Sequence, residues 1–244
     1  MISRNQSIGR ESSRLAVMQP YLFPYVGYFQ LIAAVDHFVF YDDVNYIKGG
    51  WINRNRLYLS GKTDWFTLPL RDASPYKKIN EIHVRQDGVW KHKLLTSVRQ
   101  SYGKASYFEQ AYALLESIVL SNETSLTTLA RESVIAVARY LGLKTEFSIS
   151  TGRYDNETLH GSERILDICR QEGATEYHNL PGGMALYSAE EFSNVGVELR
   201  FMQPSLTEYR QLEMPFKPGL SILDVLMFND RLSSLHLLGR TDPS

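Results

Sequence analysis

The first forty residues alternate between short apolar runs and one longer apolar stretch of helical length. Two of the short runs are predicted to be buried strands, at 15–19 and at 37–41. The first of them stops at Pro20. The apolar stretch at 28–35 lies between them and is predicted to be a helix. Together these segments predict one βαβ unit.

The pattern then changes twice before residue 142. Residues 56–59 and 65–70 are rich in β-forming side chains and flank Ser60-Gly61-Lys62, which predicts a hairpin that closes at a glycine turn. From 90 to 141 the apolar positions recur at helical spacing, which predicts three helices. Asn122 and Thr124 are the predicted caps of the third helix, and Gly142 is its predicted end.

The last hundred residues return to strand and helix alternation. Strands are predicted at 145–149, in a short segment that ends in His178 and Asn179, and at 197–201. A helix is predicted at 162–172, with Ser162 as its N-cap. These elements predict an α/β fold with a mostly parallel sheet flanked by helices and a helical insertion at about 89–142. Because no repeat or linker is evident, residues 15–244 are predicted to form one domain after a flexible tail at 1–14.

The composition of the chain excludes several classes of function and predicts the cellular compartment of the protein. The 244 residues carry a net charge of -1 with a pI near 6.6, so binding to bulk nucleic acid is not expected. Cys169 is the only cysteine, which excludes an internal disulfide and a multi-cysteine metal site, and its apolar context predicts a buried thiol. A membrane-length apolar run and a secretory leader pattern are both lacking, which predicts a cytoplasmic protein without membrane insertion.

An aromatic and proline-rich loop follows the first predicted strand. Ligands of open α/β sheets bind beyond the carboxyl ends of the strands, where this loop would lie. Prolines fix its backbone, and Gly27 permits close approach to a ligand. The same aromatics would also suit a core beneath a tight turn. The predicted substrate-binding residues of this loop are Gln19, Tyr21, Tyr25 and Tyr28.

The segment 42–56 gathers carboxylates, amides and cations around a glycine pair. Asp42 or Asp43 can accept a proton from an amine or bind a divalent cation, although no set of metal ligands is predicted. Arginine forks suit phosphate, and lysine adds a mobile charge. Ion pairs between these aspartates and arginines are the structural alternative. The predicted substrate-binding residues are Asn45, Lys48, Trp51, Asn53, Arg54, Asn55 and Arg56.

Two further segments are weaker candidates. Lys104 lies between tyrosines in a loop that either contacts a base or sugar or simply connects two helices, with Ser106 as a cap. After the strand that contains His178, Gly182 and Gly183 predict close approach of the backbone to a ligand. His178 is a candidate catalytic residue, and a hydrogen-bonded polar residue is the alternative.

Several motifs together resemble the WbqC-like family. They are Gln-Pro-Tyr-x-x-Pro-Tyr-x-Gly-Tyr-Phe at 19–29, Tyr-Asp-Asp at 41–43 and Lys-x-x-Trp-x-Asn-Arg-Asn-Arg at 48–56. The resemblance extends over roughly 15–229. Because the family is associated with gene clusters for O-antigen and capsule, it implies a nucleotide-linked amino sugar as substrate. Asn45 and the pair Gly49-Gly50 depart from the commoner pattern, which bears on substrate specificity.

Three functions are compatible with these patterns. The leading hypothesis is a transferase of cell-surface polysaccharide biosynthesis that moves an acyl or aminoacyl group from an unidentified donor to a nucleotide-linked amino sugar. Asp42, Asp43 and His178 are its candidate catalytic residues. The second is an ATP-dependent, adenylate-forming amide ligase of nucleotidyltransferase-like fold, because Tyr25-x-Gly27-Tyr28 has the spacing of a His-x-Gly-His motif.

The third hypothesis is a non-catalytic nucleotide-sugar-binding or scaffold protein. It is motivated by the lack of a local catalytic triad or metal motif in the sequence. No pattern identifies a cofactor, and none predicts the oligomeric state.

Overall fold

The computed structural model describes residues 12–212 and 215–240. The strands in these residues are β1 Arg14–Met18, β2 His37–Phe40, β3 Arg54–Leu59, β4 Lys62–Thr67, β5 Leu70–Arg71, β6 His83–Val84, β7 Glu146–Ser148, β8 Glu176–Asn179 and β9 Glu198–Phe201. The α-helices are α1 Val26–Ala34, α2 Val89–Tyr102, α3 Phe108–Val119, α4 Leu126–Leu141, α5 Gly161–Glu172, α6 Ala189–Asn194, α7 Ile222–Phe228 and α8 Arg231–Leu237.

The central sheet has five parallel strands in the order β7-β2-β1-β8-β9. Its strands therefore place all their carboxyl ends along one edge. The order reverses at β1, because β2 and β7 lie on one side of it and β8 and β9 on the other. The crevice between the ends of β1 and β8 is thus the switch point at which ligands of doubly wound sheets bind. The predicted α/β fold and its first βαβ unit are confirmed.

Alternate residues of the sheet face two apolar cores. On one face, Phe38 and Phe40 of β2 belong to a core that includes side chains of α1, α4 and α7. On the other face, Val39 belongs to a core with Ile165 and Ile168 of α5. Helices therefore cover both faces of the sheet, which leaves the edges as the places where polar chemistry can meet solvent.

The crossover from β2 to β7 contains the predicted hairpin and the three predicted helices. Strands β3 and β4 pair antiparallel around Ser60 and Gly61, whose φ angles are 52° and 82°. Two successive residues with positive φ match the twist of a two-residue hairpin, and glycine adopts such a conformation without strain. Helices α2, α3 and α4 follow in the same crossover. The domain boundaries drawn around them remain a prediction.

The predicted helix starts are wrong by a few residues. The N-cap of α4 is Ser125, whose Oγ accepts from Thr128 N, rather than Asn122 or Thr124. Helix α3 starts after Tyr107 and α5 after His160, neither with a side-chain cap, so Ser106 and Ser162 are not N-caps. Several residues that can cap a helix stand close together before α4, so the sequence alone does not identify the one that is used. The predicted end of α4 at Gly142 is confirmed by its left-handed conformation, φ 76°.

The first strand begins within the predicted tail, and the lone thiol is buried as expected. Residues 1–11 of the predicted tail lie outside the described residues, whereas Arg14 already begins β1 and Ser13 N donates to Thr175 Oγ1 over 3.0 Å. Cys169 is buried as predicted, and burial raises the pKa of its thiol to about 12. Within residues 12–212 and 215–240, no helix combines the length and the apolarity that crossing a bilayer requires.

Candidate active site

Asp42 and Asp43 follow the carboxyl end of β2, one residue beyond a main-chain hydrogen bond from Tyr41 N to Met18 O of β1, 2.8 Å long. The side chains come within reach of Thr151, which follows the neighbouring strand β7. Both aspartates are almost fully buried, with 3% and 5% of their surface exposed. They are referred to below as the aspartate pair.

The carboxylate of Asp43 is fixed by a buried cation and a hydroxyl. Its Oδ2 accepts from Arg164 Nη2 of α5 at 2.5 Å, and its Oδ1 accepts from Thr151 Oγ1 at 2.5 Å. Arg164 Nε in turn donates to Asn156 Oδ1 over 2.9 Å. Burial alone would raise the pKa of Asp43, but the bonds from Arg164 and Thr151 outweigh it, so the pKa is lowered. Asp43 is therefore held as an anion.

Asp42 has the opposite environment. Its Oδ1 accepts from Ser150 Oγ at 2.7 Å and from Thr151 N at 3.2 Å, whereas Oδ2 receives neither bond. Burial raises the pKa of Asp42, the two hydrogen bonds offset part of the rise, and the charge of Asp43 adds to it. A carboxylate with a raised pKa is a stronger proton acceptor than an ordinary aspartate.

Adjacent carboxyls whose pKa values move in opposite directions are characteristic of acid and base sites. The cation that pairs with Asp43 is Arg164, 121 residues away in sequence, and not Arg54 or Arg56 of the same segment. In the part of the chain that the structure describes, no three metal-binding side chains cluster. The arrangement is suited to proton transfer, with Asp42 as the group that exchanges the proton.

The loop at 19–25, the proline-tyrosine loop, adjoins this pair. Tyr28 has no exposed surface, and its hydroxyl donates to Gln19 O over 2.8 Å, so Tyr28 supports the loop from the core and offers no contact surface to a ligand. Tyr21 packs against Tyr28 with the ring centroids 5.6 Å apart and the ring planes tilted by 43°, and it stays partly exposed. Tyr25 is also partly exposed and forms a backbone bridge with Ser221.

Two of the predicted substrate-binding asparagines have structural roles instead. Asn55 is buried, and its Nδ2 donates to Leu22 O at 3.2 Å and Phe23 O at 2.8 Å. Asn53 is buried as well and donates to Leu68 O over 2.9 Å. Because their amides satisfy main-chain carbonyls, both asparagines join the β3–β4 hairpin to its surroundings and are not free to bind a ligand.

Replacing Asn55 by Ala is expected to lower the free energy of unfolding by about 1–3 kcal/mol, because the buried carbonyl of Leu22 loses its side-chain donor and that of Phe23 keeps only the Ser221 hydroxyl. Urea denaturation monitored by circular dichroism measures the loss. Asn45→Ala is the matched control, since the side chain of Asn45 is exposed and its removal is expected to change stability by less than about 0.5 kcal/mol. Equal effects of both substitutions would contradict the structural role of Asn55.

The remaining charged residues of this segment lie on the outward face of the hairpin. Arg54 Nε donates to Gly50 O over 3.0 Å, and its guanidinium lies 4.1 Å from the ring centroid of Trp65. Arg56 lies 5.5 Å from the ring of Trp51 and 6.0 Å from that of Trp65. Lys48 is exposed at the turn that precedes Trp51. Trp51, Trp65, Arg54 and Arg56 are named the indole-arginine cluster below.

The glycine pair follows β8 on the other side of the switch point. Gly183 is buried, and a Cβ there would lie 2.8 Å from Asn179 Nδ2, so no larger residue fits without a shift. Gly182 is exposed and has open space around it. The pair thus keeps the turn after β8 tight and leaves its outer side open.

His178 is not brought to the aspartate pair. Its neighbour Tyr177 belongs to the core that contains α5, so His178 faces the opposite side of the sheet, where its Nε2 lies 2.9 Å from Glu176 Oε2. Glu176 also pairs with Arg200 at 3.1 Å. One ring nitrogen of His178 is therefore engaged by Glu176, and the catalytic role of His178 stays a prediction.

Four residues of the site were not predicted from the sequence. Ser150 and Thr151 follow a predicted strand at its carboxyl end, so the general rule that ligands bind beyond the carboxyl ends of parallel strands could have found them. Trp65 lies directly opposite Arg56 in the hairpin, a register that the turn at Ser60–Gly61 implies. Arg164 could not be inferred, since a buried arginine on an apolar helix face has no local signal for its partner.

Known proteins show to which sequence family this chain is similar. A model of the WbqC-like protein family matches residues 19–234, which include the aspartate pair, the proline-tyrosine loop and the hairpin. The chain belongs to the WbqC-like protein family. This WbqC-like protein is 34% identical over 221 residues to "Uncharacterized protein Rv1507c" of Mycobacterium tuberculosis, covering 88% of this chain and 93% of that relative. No solved structure gives a significant match.

Proposed function

We propose that this WbqC-like protein is a transferase of cell-surface polysaccharide biosynthesis that acylates or aminoacylates the amino group of a nucleotide-linked amino sugar. The observation that carries the proposal is the pair of adjacent buried carboxylates at the carboxyl edge of the sheet, of which Asp43 is held by Arg164 and Thr151 whereas Asp42 is bonded through Oδ1 and leaves Oδ2 without these partners. Membership of the family supports the choice of substrate class.

In the proposed reaction, the sugar amine attacks the carbonyl carbon of the acyl donor. A bond forms between the amine nitrogen and the acyl carbon, and the bond between that carbon and the donor's leaving group breaks. Asp42 Oδ2 accepts the proton that the amine releases. Asp43 stays ionised, because Arg164 holds its carboxylate in place. Because Asp42 is only 3% exposed, the amine has to reach Oδ2 from the rim of the sheet.

The order of the sheet strands favours a second candidate, ATP-dependent amide formation, because this order also occurs in nucleotide-binding doubly wound sheets. The burial of Tyr28 argues against the phosphate-binding motif on which this second candidate is based. Of Tyr25 and Tyr28, only Tyr25 has an accessible ring.

The experiment is an assay of amide formation on a uridine-diphosphate-linked 2-amino sugar. Coenzyme A thioesters of short acids are one donor set, and each amino acid with ATP is the other, with product mass as the readout. Acylation in either set supports the transfer reaction. Pyrophosphate exchange into ATP that depends on a carboxylic acid would identify the ligase instead, and a substrate with hydroxyl in place of amine should remain unmodified. Binding of the sugar without product from any donor would contradict catalysis.

A further inference from the structure

The two tryptophans of the indole-arginine cluster remain partly exposed to solvent although their rings are in contact. Trp51 and Trp65 retain 37% and 41% of their surface exposed, although their ring centroids are only 5.1 Å apart. Arg56 and Trp65 form a directly opposed pair of the β3–β4 ladder, so the arginine and the indole share the outward face of the hairpin. Exposed tryptophans of this kind are usual at binding surfaces, where a ligand covers them.

The positive charge of this face is not balanced. Among residues 12–212 and 215–240, Lys48, Arg54 and Arg56 form no ion pair with a carboxylate. Arg56 Nε is buried and lacks a hydrogen-bond partner within the described chain, and its Nη2 makes only a long bond of 3.3 Å to Gly219 O. A guanidinium with unused donors is the group that an incoming anion would satisfy.

The two guanidiniums are also oriented in advance. Arg54 donates to the carbonyls of Gly49 and Gly50 and stacks on Trp65, so its plane is fixed before any ligand arrives. Arg56 is limited by contacts with both indoles. Flat aromatic surface beside fixed arginine forks matches a ligand with a planar ring at one end and oxyanions close to it.

We infer that the indole-arginine cluster binds the nucleoside diphosphate portion of the substrate, with the base stacked on Trp51 or Trp65 and the diphosphate on Arg54 and Arg56. This inference rests on the proposed function. It adds Trp65 to the substrate-binding residues and assigns the two parts of the substrate to two different groups of residues. The hairpin holds the nucleotide, and the aspartate pair receives the sugar.

A short stretch of backbone connects the neighbourhoods of the two sites. Leu22 N donates to Trp51 O over 3.3 Å at one end of the proline-tyrosine loop, and Met18 O accepts from Tyr41 N at the other end. Leu22 is four positions after Met18, so that stretch of chain spans at most about 14 Å. The cluster and the aspartate pair therefore flank the same short loop.

The test uses the intrinsic fluorescence of the indoles in a Trp90→Phe background, which leaves Trp51 and Trp65 as the two tryptophans of the chain. Uridine, guanosine, adenosine and thymidine diphosphates are titrated separately, and inorganic pyrophosphate and free 2-amino sugar serve as comparison ligands. Free tryptophan amide corrects for absorption by the bases. We expect at least one nucleoside diphosphate to quench the emission and to bind about 5- to 150-fold more tightly than pyrophosphate, which lacks the stacking base.

Substitutions of Trp65 separate stacking from general charge. Trp65→Leu is expected to lower the affinity for the nucleoside diphosphate about tenfold. Trp65→Phe is expected to retain most of the affinity, because phenylalanine preserves an aromatic face. Thermal denaturation verifies that both variants fold. Equal affinity for pyrophosphate and every nucleoside diphosphate, or no effect of Trp65→Leu, would overturn the inference.

The outcomes also distinguish this inference from the proposed function. Acyl transfer to a nucleotide-linked sugar without any quenching by nucleotides would refute the indole-arginine site and leave the transferase intact. Nucleotide binding that depends on Trp65, without transfer from any donor, would uphold the site and refute the transferase.

Discussion

Replacing Asp42 by Asn is expected to lower the rate of acyl transfer about 10²- to 10⁴-fold, because the proton acceptor is lost while the shape of the side chain is kept. The amide can still accept from Ser150 Oγ, so the fold is expected to persist. Steady-state kinetics with a nucleotide-linked amino sugar measure the loss, which should appear in kcat more than in KM.

The pH dependence gives an independent signature of the same residue. A general base acts when ionised, so the rate should rise with pH through the pKa of Asp42, which burial places above the ordinary aspartate value. This acidic limb should disappear in Asp42→Asn. Asp36→Asn is the matched control at the opposite end of β2, where the carboxylate is exposed and pairs with Arg14. A control as inactive as the variant would contradict a specific role for Asp42.

Replacing Arg164 by Met is expected to lower the free energy of unfolding by about 3–5 kcal/mol, since it leaves the carboxylate of Asp43 buried without its cation. Chemical denaturation at pH 7 measures the change. Arg170→Met is the matched control on the same helix, because Arg170 is exposed and its pair with Asp167 should contribute at most about 1 kcal/mol. The double variant Asp43→Asn, Arg164→Met should recover part of the loss.

The direction of the pH effect follows from the lowered pKa of Asp43. A depressed pKa in the folded state contributes stability above the pKa of the unfolded aspartate, about 3.9, and this contribution is lost as the pH falls through the folded value. In Arg164→Met, the pKa of Asp43 should rise, and protonation would remove the buried charge. The difference between wild type and variant should therefore be greatest near neutral pH and shrink in acid. A difference independent of pH would contradict the ion-pair account.

Local patterns of the sequence were sufficient for most of the fold. The first βαβ unit, the hairpin around Gly61 and the helix end at Gly142 follow from apolar periodicity and from the backbone freedom of glycine, which both act over a few residues. Helix starts were less accurate, because the choice of Ser125 over Thr124 as the cap depends on how α4 packs.

The site was only partly predictable, for reasons of sequence separation and side-chain direction. Asp42 and Asp43 could be placed at a strand end, but the contact between Asp43 and Arg164 is long-range and is made by the tertiary fold. Asn55 has the polarity of a ligand-binding residue, yet its amide is used by the main chain of the proline-tyrosine loop. A polar residue type therefore does not by itself distinguish a binding role from a structural one.

The most direct test of the central claim is a crystal structure with a uridine-diphosphate-linked 2-amino sugar bound. The account predicts the sugar's amino nitrogen within hydrogen-bonding distance of Asp42 Oδ2 and the ligand along the carboxyl edge of the sheet. The opposite, amino edge has a cleft of about 590 Å³ lined by residues that include Arg14, Lys144 and Arg240. Density for the ligand in that cleft, with the carboxyl edge empty, would contradict the account.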